Sequence, residues 1–112
     1  MARYHIIVLS KPTVGREDEF DRWYTNQHIR DLVKVPGIIS ARRFKLVERH
    51  TQGVPQQYVA EYEVETDDID ATMAAVQQRL GTDEMPMTDA FDMGSAAFLV
   101  AEAITEKLSA AS

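Results

Sequence analysis

Residues 20–44 read FDRWYTNQHIRDLVKVPGIISARRF, and two periodicities meet inside that stretch. Phe20, Tyr24, His28, Leu32 and Val35 recur at steps of four and three with Trp23 beside them, which predicts one apolar stripe on a helix from about Arg16 to Val35. Glu17, Asp18 and Glu19 fall in its first turn and Lys34 near its end, the sense that the helix dipole favours. Pro36-Gly37 stops the helix and turns the chain, and Ile38 to Val47 then reads as a strand in spite of Arg42, Arg43 and Lys45.

Upstream, Tyr4 to Leu9 has the composition of a buried strand, with His5, Ile7 and Leu9 on one face and Tyr4, Ile6 and Val8 on the other. Lys11, Pro12, Thr13 and Gly15 end it. Downstream, Gln57 to Glu65 alternates: Tyr58, Ala60, Tyr62 and Val64 face one way, Val59, Glu61, Glu63 and Glu65 the other. The polar connection Glu48 to Gln56 makes this strand and Ile38 to Val47 an antiparallel hairpin. Thr66 or Asp67 is expected to cap a second helix striped by Ile69, Met73, Val76 and Leu80 and ended by Gly81. Thr82 to Gly94 is aperiodic and acidic, punctuated by Met85, Met87, Phe91 and Met93, and suggests a short helix or lid. Ser95 to Ile104 forms a last strand, followed by a tail or an arm that crosses to a partner.

The order βαββαβ predicts an α+β, ferredoxin-like domain over residues 1–112: a four-stranded antiparallel sheet with two helices on one face. With both faces of the first strand largely apolar, the helix-free face needs cover, so a homodimer through the sheet faces is expected. The 112 residues are 45% hydrophobic, enough for one core and too few for two domains. Twelve basic against eighteen acidic residues give a net charge of −6, which argues against a nucleic-acid partner or an anionic membrane surface. Without cysteine there is no disulfide, thiolate nucleophile or cysteine metal site. The start MARYHIIVLS has too few apolar residues for a signal-peptide core or a membrane span, so a cytoplasmic location is expected.

His28 is the leading chemical candidate. It follows Tyr24 by one turn on the apolar stripe, where a desolvated imidazole stays neutral and can act as a base; the alternative is a semi-buried helix residue bonded to Tyr24, Asp31 or backbone. His5 either packs quietly or, if its face is the one under the first helix, approaches His28 and Tyr24. Arg42 and Arg43 point to opposite faces, so one of them is directed inward, either to bind a carboxylate or oxyanion or to pair with Glu61 or Glu63 on the next strand. Tyr58 and Tyr62 share a face as pocket wall, proton donors or core. Trp23 and Phe91 join them as candidate lining for a small hydrophobic or aromatic molecule, as do Met85, Met87 and Met93, whose alternative is core filler. No phosphate loop, GxGxxG or HExxH is present, and His28, Asp31 and His5 lack a clear further ligand, so neither metal nor cofactor is expected.

Trp23-Tyr24, His28, Pro36-Gly37 and the Arg42-Arg43-Phe44 strand together resemble the EthD-like branch of the dimeric α/β-barrel superfamily; the match covers about a quarter of the chain. The resemblance implies a ferredoxin-like monomer whose sheet packs on a second subunit to make a barrel. The superfamily includes stress-responsive proteins, cofactor-free monooxygenases, muconolactone isomerases, haem enzymes and polyketide cyclases. The cyclase branch is similar at His5, which would act as a base in a hydrophobic cavity, but lacks a counterpart here to its second working histidine, leaving His28 to replace it. The resemblance thus implies a cofactor-independent enzyme of lyase, cyclase or isomerase type, in which His28 or His5 removes a proton and Tyr24 or an inward arginine stabilises the oxyanion. A cofactor-free monooxygenase and a non-catalytic small-molecule-binding or stress-response module are the alternatives.

Overall fold

The computed structural model describes residues 2–111. Strand β1 (Ala2–Ser10) leads to α1 (Glu17–Trp23), a π-helical turn (Tyr24–His28) and α2 (Ile29–Leu32), which run on as one helical rod. Then come β2 (Ile38–Lys45), β3 (Tyr58–Thr66), α3 (Ile69–Arg79) and β4 (Ala97–Glu102). All strand pairs are antiparallel in the order β2-β3-β1-β4. The ferredoxin-like order read from the sequence is therefore present, with the helices on one face.

The expected barrel is not. The sheet is open, with β2 and β4 as its two unpaired edges. Four strands are too few to close on themselves, because a filled barrel takes about eight.

Strand alternation sorts the side chains. Ile6 stands opposite Tyr62 and Val100, and Val8 opposite Ala60 and Phe98, so these residues share the face toward the helices. Phe20, Tyr24, Leu32 and Val35 come down onto that face from the rod and are buried with Ile6, Val8, Ala60, Tyr62 and Val64. His5, Ile7 and Leu9 occupy the opposite, helix-free face. In β2 the register shifts by one residue between Ile38 and Ser40. That bulge inverts the alternation: Ala41 and Arg43 come opposite Tyr62 and Ala60 and face the helices, whereas Arg42, opposite Glu61, is left exposed on the far side.

The turn into β2 depends on Gly37, which has φ +97 and whose absent Cβ would lie 3.1 Å from the Thr72 hydroxyl. A side chain there would meet both a left-handed backbone and α3. The cap of α3 is neither Thr66 nor Asp67 but Asp68, whose carboxylate accepts the Ala71 N–H at 3.0 Å. A carboxylate at that position reaches the N3 amide, the standard capping reach, so the boundary is one residue later than the composition suggested.

Residues 82–96 contain no α-helix. They form a strap pinned along the rod: the Thr88 hydroxyl donates to Glu19, Trp23 Nε1 to the Pro86 carbonyl at 3.0 Å, and Arg16 to Asp89. The strap buries Met85, Ala90 and Phe91 in the core. Among the described residues no helix is long and apolar enough to cross a membrane.

Candidate functional site

An ideal α-helix advances about 100° per residue, so a step of four overshoots the same face by about 40° and three such steps by about 120°. Phe20, Tyr24, His28 and Leu32 are nevertheless all buried, each exposing 7% or less of its surface. The π turn Tyr24–His28 reconciles the two, since its wider i to i+5 spacing absorbs the drift and keeps a four-step stripe on one face. The same spacing sets Trp23 and His28, five residues apart, directly over one another: their rings are 4.5 Å apart and inclined by only 21°. Tyr24 meets the His28 ring edge-on at 5.2 Å.

His28 lines a cavity of about 270 Å³ between the sheet, the rod and α3. Its other walls are mostly apolar, including Ile6, Val8, Met73, Val76 and Phe91, with Met87 and Met93 reaching in from the strap. Three groups of the wall can make directed hydrogen bonds from buried positions. His28 Nδ1 has no partner, and the Tyr62 hydroxyl, although near that of Tyr24, makes no hydrogen bond of acceptable geometry. Burial pushes the His28 imidazole down to about 4, against the opposing pull of Asp31. Burial likewise pushes the Tyr24 phenol up to about 12 and the Tyr62 phenol well above its ordinary range. At neutral pH the residues lining the cavity therefore include a neutral imidazole and two protonated phenols, with His28 Nδ1 and the Tyr62 hydroxyl enclosed in the wall.

Arg43 sits behind this wall. Its guanidinium lies 4.9 Å from the centre of the Tyr24 ring and also over Phe20 and Tyr58, and it donates to Asp21 Oδ1 at 2.6 Å and Thr25 Oγ1 at 2.7 Å. The inward arginine is thus paired with Asp21 of α1 rather than with Glu61 or Glu63, and it braces the π turn from outside the cavity. Its charge favours ionisation of Tyr24, in opposition to burial.

The structure brings together His28, Tyr24, Tyr62 and Phe91 of the residues singled out from the sequence, with Trp23 stacked behind. It separates the others. His5 lies on the helix-free face, where Nδ1 is 2.6 Å from Glu61 Oε1, and does not join His28. Arg42 is exposed on that same face, Tyr58 packs against Arg43, and Met85 is locked in the core while Met87 and Met93 take the lining role. The two lining methionines belonged to the same Met-rich segment, but nothing in its aperiodic spacing distinguished them from Met85. Among the described residues no group of three or more His, Cys, Asp or Glu is placed to hold a metal ion.

Fold and cavity define an open ferredoxin-like α+β domain with a small apolar chamber between its sheet and helices. Among solved structures, the chain is similar to an ethyl tert-butyl ether D (EthD) family protein from Bacillus halodurans C-125, with 19% identity and a TM-score of 0.58 over 93% of this chain and 100% of that one. The EthD-like resemblance of residues 20–44 therefore holds for the fold. No family model matches the chain, and no curated protein does. The likeness brings no reaction with it, and the lyase, cyclase or isomerase expectation draws no support from it.

The His28 shift has a consequence for stability. A histidine whose folded value lies below its unfolded value of 6.5 is charged earlier in the unfolded chain, so acid favours unfolding as pH falls from about 6.5 toward 4. The share of this one group is about 3 kcal/mol across that window. Urea unfolding at pH 7 and pH 4.5 should show a clearly smaller acid loss in His28→Gln than in the wild type; equal losses would mean that His28 is not held neutral.

Proposed function

We propose that the cavity binds a small, largely apolar molecule, and that His28 accepts a proton from it while the Tyr24 and Tyr62 hydroxyls donate to the oxygen that gains charge. One observation carries this reading: a histidine and two tyrosines line the same chamber, whose remaining wall is apolar but for Gln77. The proton moves from a ligand hydroxyl or acidic C–H to the imidazole, and the electron pair left behind goes to the oxygen facing the phenols. Negative charge forming beside the ring raises its affinity for the proton, offsetting the desolvation that depresses it in the free protein. No redox step enters, and the chain's own groups suffice for the transfer.

A second reading has a specific observation in its favour. With His28 down at about 4, the imidazole of the free protein is a weak base and a good hydrogen-bond acceptor. On that reading the chain is a binding module that holds its ligand without proton transfer.

A panel of aromatic and polyketide-like compounds, followed by mass spectrometry, separates the two. If His28 is the base, His28→Ala lowers turnover by roughly 10² to 10⁴ with the fold intact, and Tyr24→Phe lowers it less because the ring that packs the rod is kept. Near-wild-type turnover in His28→Ala removes it as the base.

The proposal extends to assembly. The helix-free face carries Ile7, Leu9 and the exposed Phe44 and Leu99 among its charged residues, and we take a second copy of the chain to cover it. Light scattering at micromolar concentration should give about twice the chain mass of 12.7 kDa. A monodisperse monomer would contradict this.

A further inference from the structure

The two edges of the sheet are unlike. β2 carries Arg42, Arg43 and Lys45 and the register shift after Ile38, features that keep a foreign strand from pairing. β4 has none of them: Ala97 to Ala101 reads AFLVA, without a charge, a proline or a bulge, and its outer backbone groups are unpaired. Phe98 and Val100 of this strand and Met93 of the strap line the chamber, yet they expose 60%, 47% and 51% of their surface. The chamber is therefore open along β4, and the rim of the opening is apolar.

Beyond β4 the chain carries a segment suited to that opening. The Ala103 N–H donates to the Arg3 carbonyl at 2.9 Å, and among the described residues nothing from Ile104 onward makes a hydrogen bond or an ion pair. Ile104 and Leu108 each expose 91% of their surface. Thr105, Glu106 and Lys107 share a cleft of about 680 Å³ with Arg3, His5 and Glu63, so this arm stands off its own sheet on the helix-free side, where the second copy was placed above. Strand alternation puts Ile104 and Leu108 on one face of an extended arm and Thr105 and Lys107 on the other. Folding back along its own β4 needs a reverse turn, and residues 103–108 contain no Gly, Pro, Asn, Asp or Ser to make one. Extended, these six residues span about 20 Å, twice the roughly 10 Å between packed sheets.

We propose that residues 103–108 of one copy add as a strand to the β4 edge of a second copy, with Ile104 and Leu108 on the chamber side against Phe98 and Val100, so that each chain closes the chamber of the other. Main-chain hydrogen bonds to the free edge hold the arm, and its alternate side chains fix the register. The proposal rests on the assembly proposed above and adds what that assembly does for the cavity: a single chain has the chamber without its outer wall.

The chain has no cysteine, so introduced thiols are unique. Chains carrying Leu108→Cys are mixed with mass-labelled chains carrying Phe98→Cys, Val100→Cys or Val33→Cys, left to exchange subunits and oxidised with diamide. Val33, 41% exposed at the end of α2, measures chance collision. Mass spectrometry should find the mixed disulfide of Leu108→Cys with Phe98→Cys or Val100→Cys at least severalfold above that with Val33→Cys. Equal yields overturn the proposal, as does a chain carrying both Leu108→Cys and Val100→Cys that closes mainly on itself. Ile104→Asp and Leu108→Asp change side chains that a single chain leaves in water, so they test association rather than folding. Each should raise the dimer dissociation constant at least about tenfold in a light-scattering dilution series. An unchanged constant in both variants overturns the proposal and leaves a dimer joined by its sheet faces alone. A wild-type chain that stays monomeric removes the assembly and the proposal with it.

Discussion

The π turn at Tyr24–His28 is the constraint on which the cavity depends. Without its wider spacing, the four-step stripe would wind away from the sheet by a third of a turn over its length, and Phe20 and Leu32 could not be buried on the same surface. With it, the rod presents a continuous face, Trp23 stacks on His28, and Tyr24 is held between the His28 edge and the Arg43 guanidinium. A π segment forgoes the tighter hydrogen-bond ladder of an α-helix, and such turns are frequent at functional sites. Here the displaced ladder is braced from β2, because Arg43 donates to both the Asp21 carbonyl and the Thr25 hydroxyl.

Burial then determines the chemistry. An imidazole and two phenols in water would differ little from their free counterparts; within this wall they are fixed in their uncharged forms, one an acceptor and two donors. Apart from the buried Asp31 and the largely covered Arg43, the ion-paired residues remain on the outside. His5 pairs with Glu61, Arg3 with Glu65 and Arg16 with Glu19 and Asp89, all at least partly exposed, where ion pairs contribute little to stability. The molecule thus segregates an uncharged hydrogen-bonding chamber from an acidic exterior.

Much of this was legible in residues 20–44 and in the alternation of β1 and β3. The stripe, the Pro36-Gly37 stop and the hairpin gave the element order, and with it the sheet and the covering helices; Tyr24, His28 and Tyr62 were already on the inward faces. Two features were hidden by parity. A single-residue bulge after Ile38 decides which arginine turns inward, and no residue in IISARRF advertises it. The face on which His5 lies follows only from which side the helices pack. The π turn, by contrast, left a trace: an unbroken step of four from Phe20 to Leu32 is too long for an α-helix. The barrel was inferred from a resemblance, and the chain itself ends its sheet at two open edges.

The π turn places His28, neutral, against Trp23 in the wall of the cavity. Histidine-selective NMR on the unmodified protein tests it most directly, with His28 assigned by comparison with a His28→Gln sample. The expected result is a titration midpoint near 4 together with close proton contacts between the His28 ring and the Trp23 indole. A midpoint near the ordinary 6.5, with ring contacts only to residues three and four positions away, would contradict it.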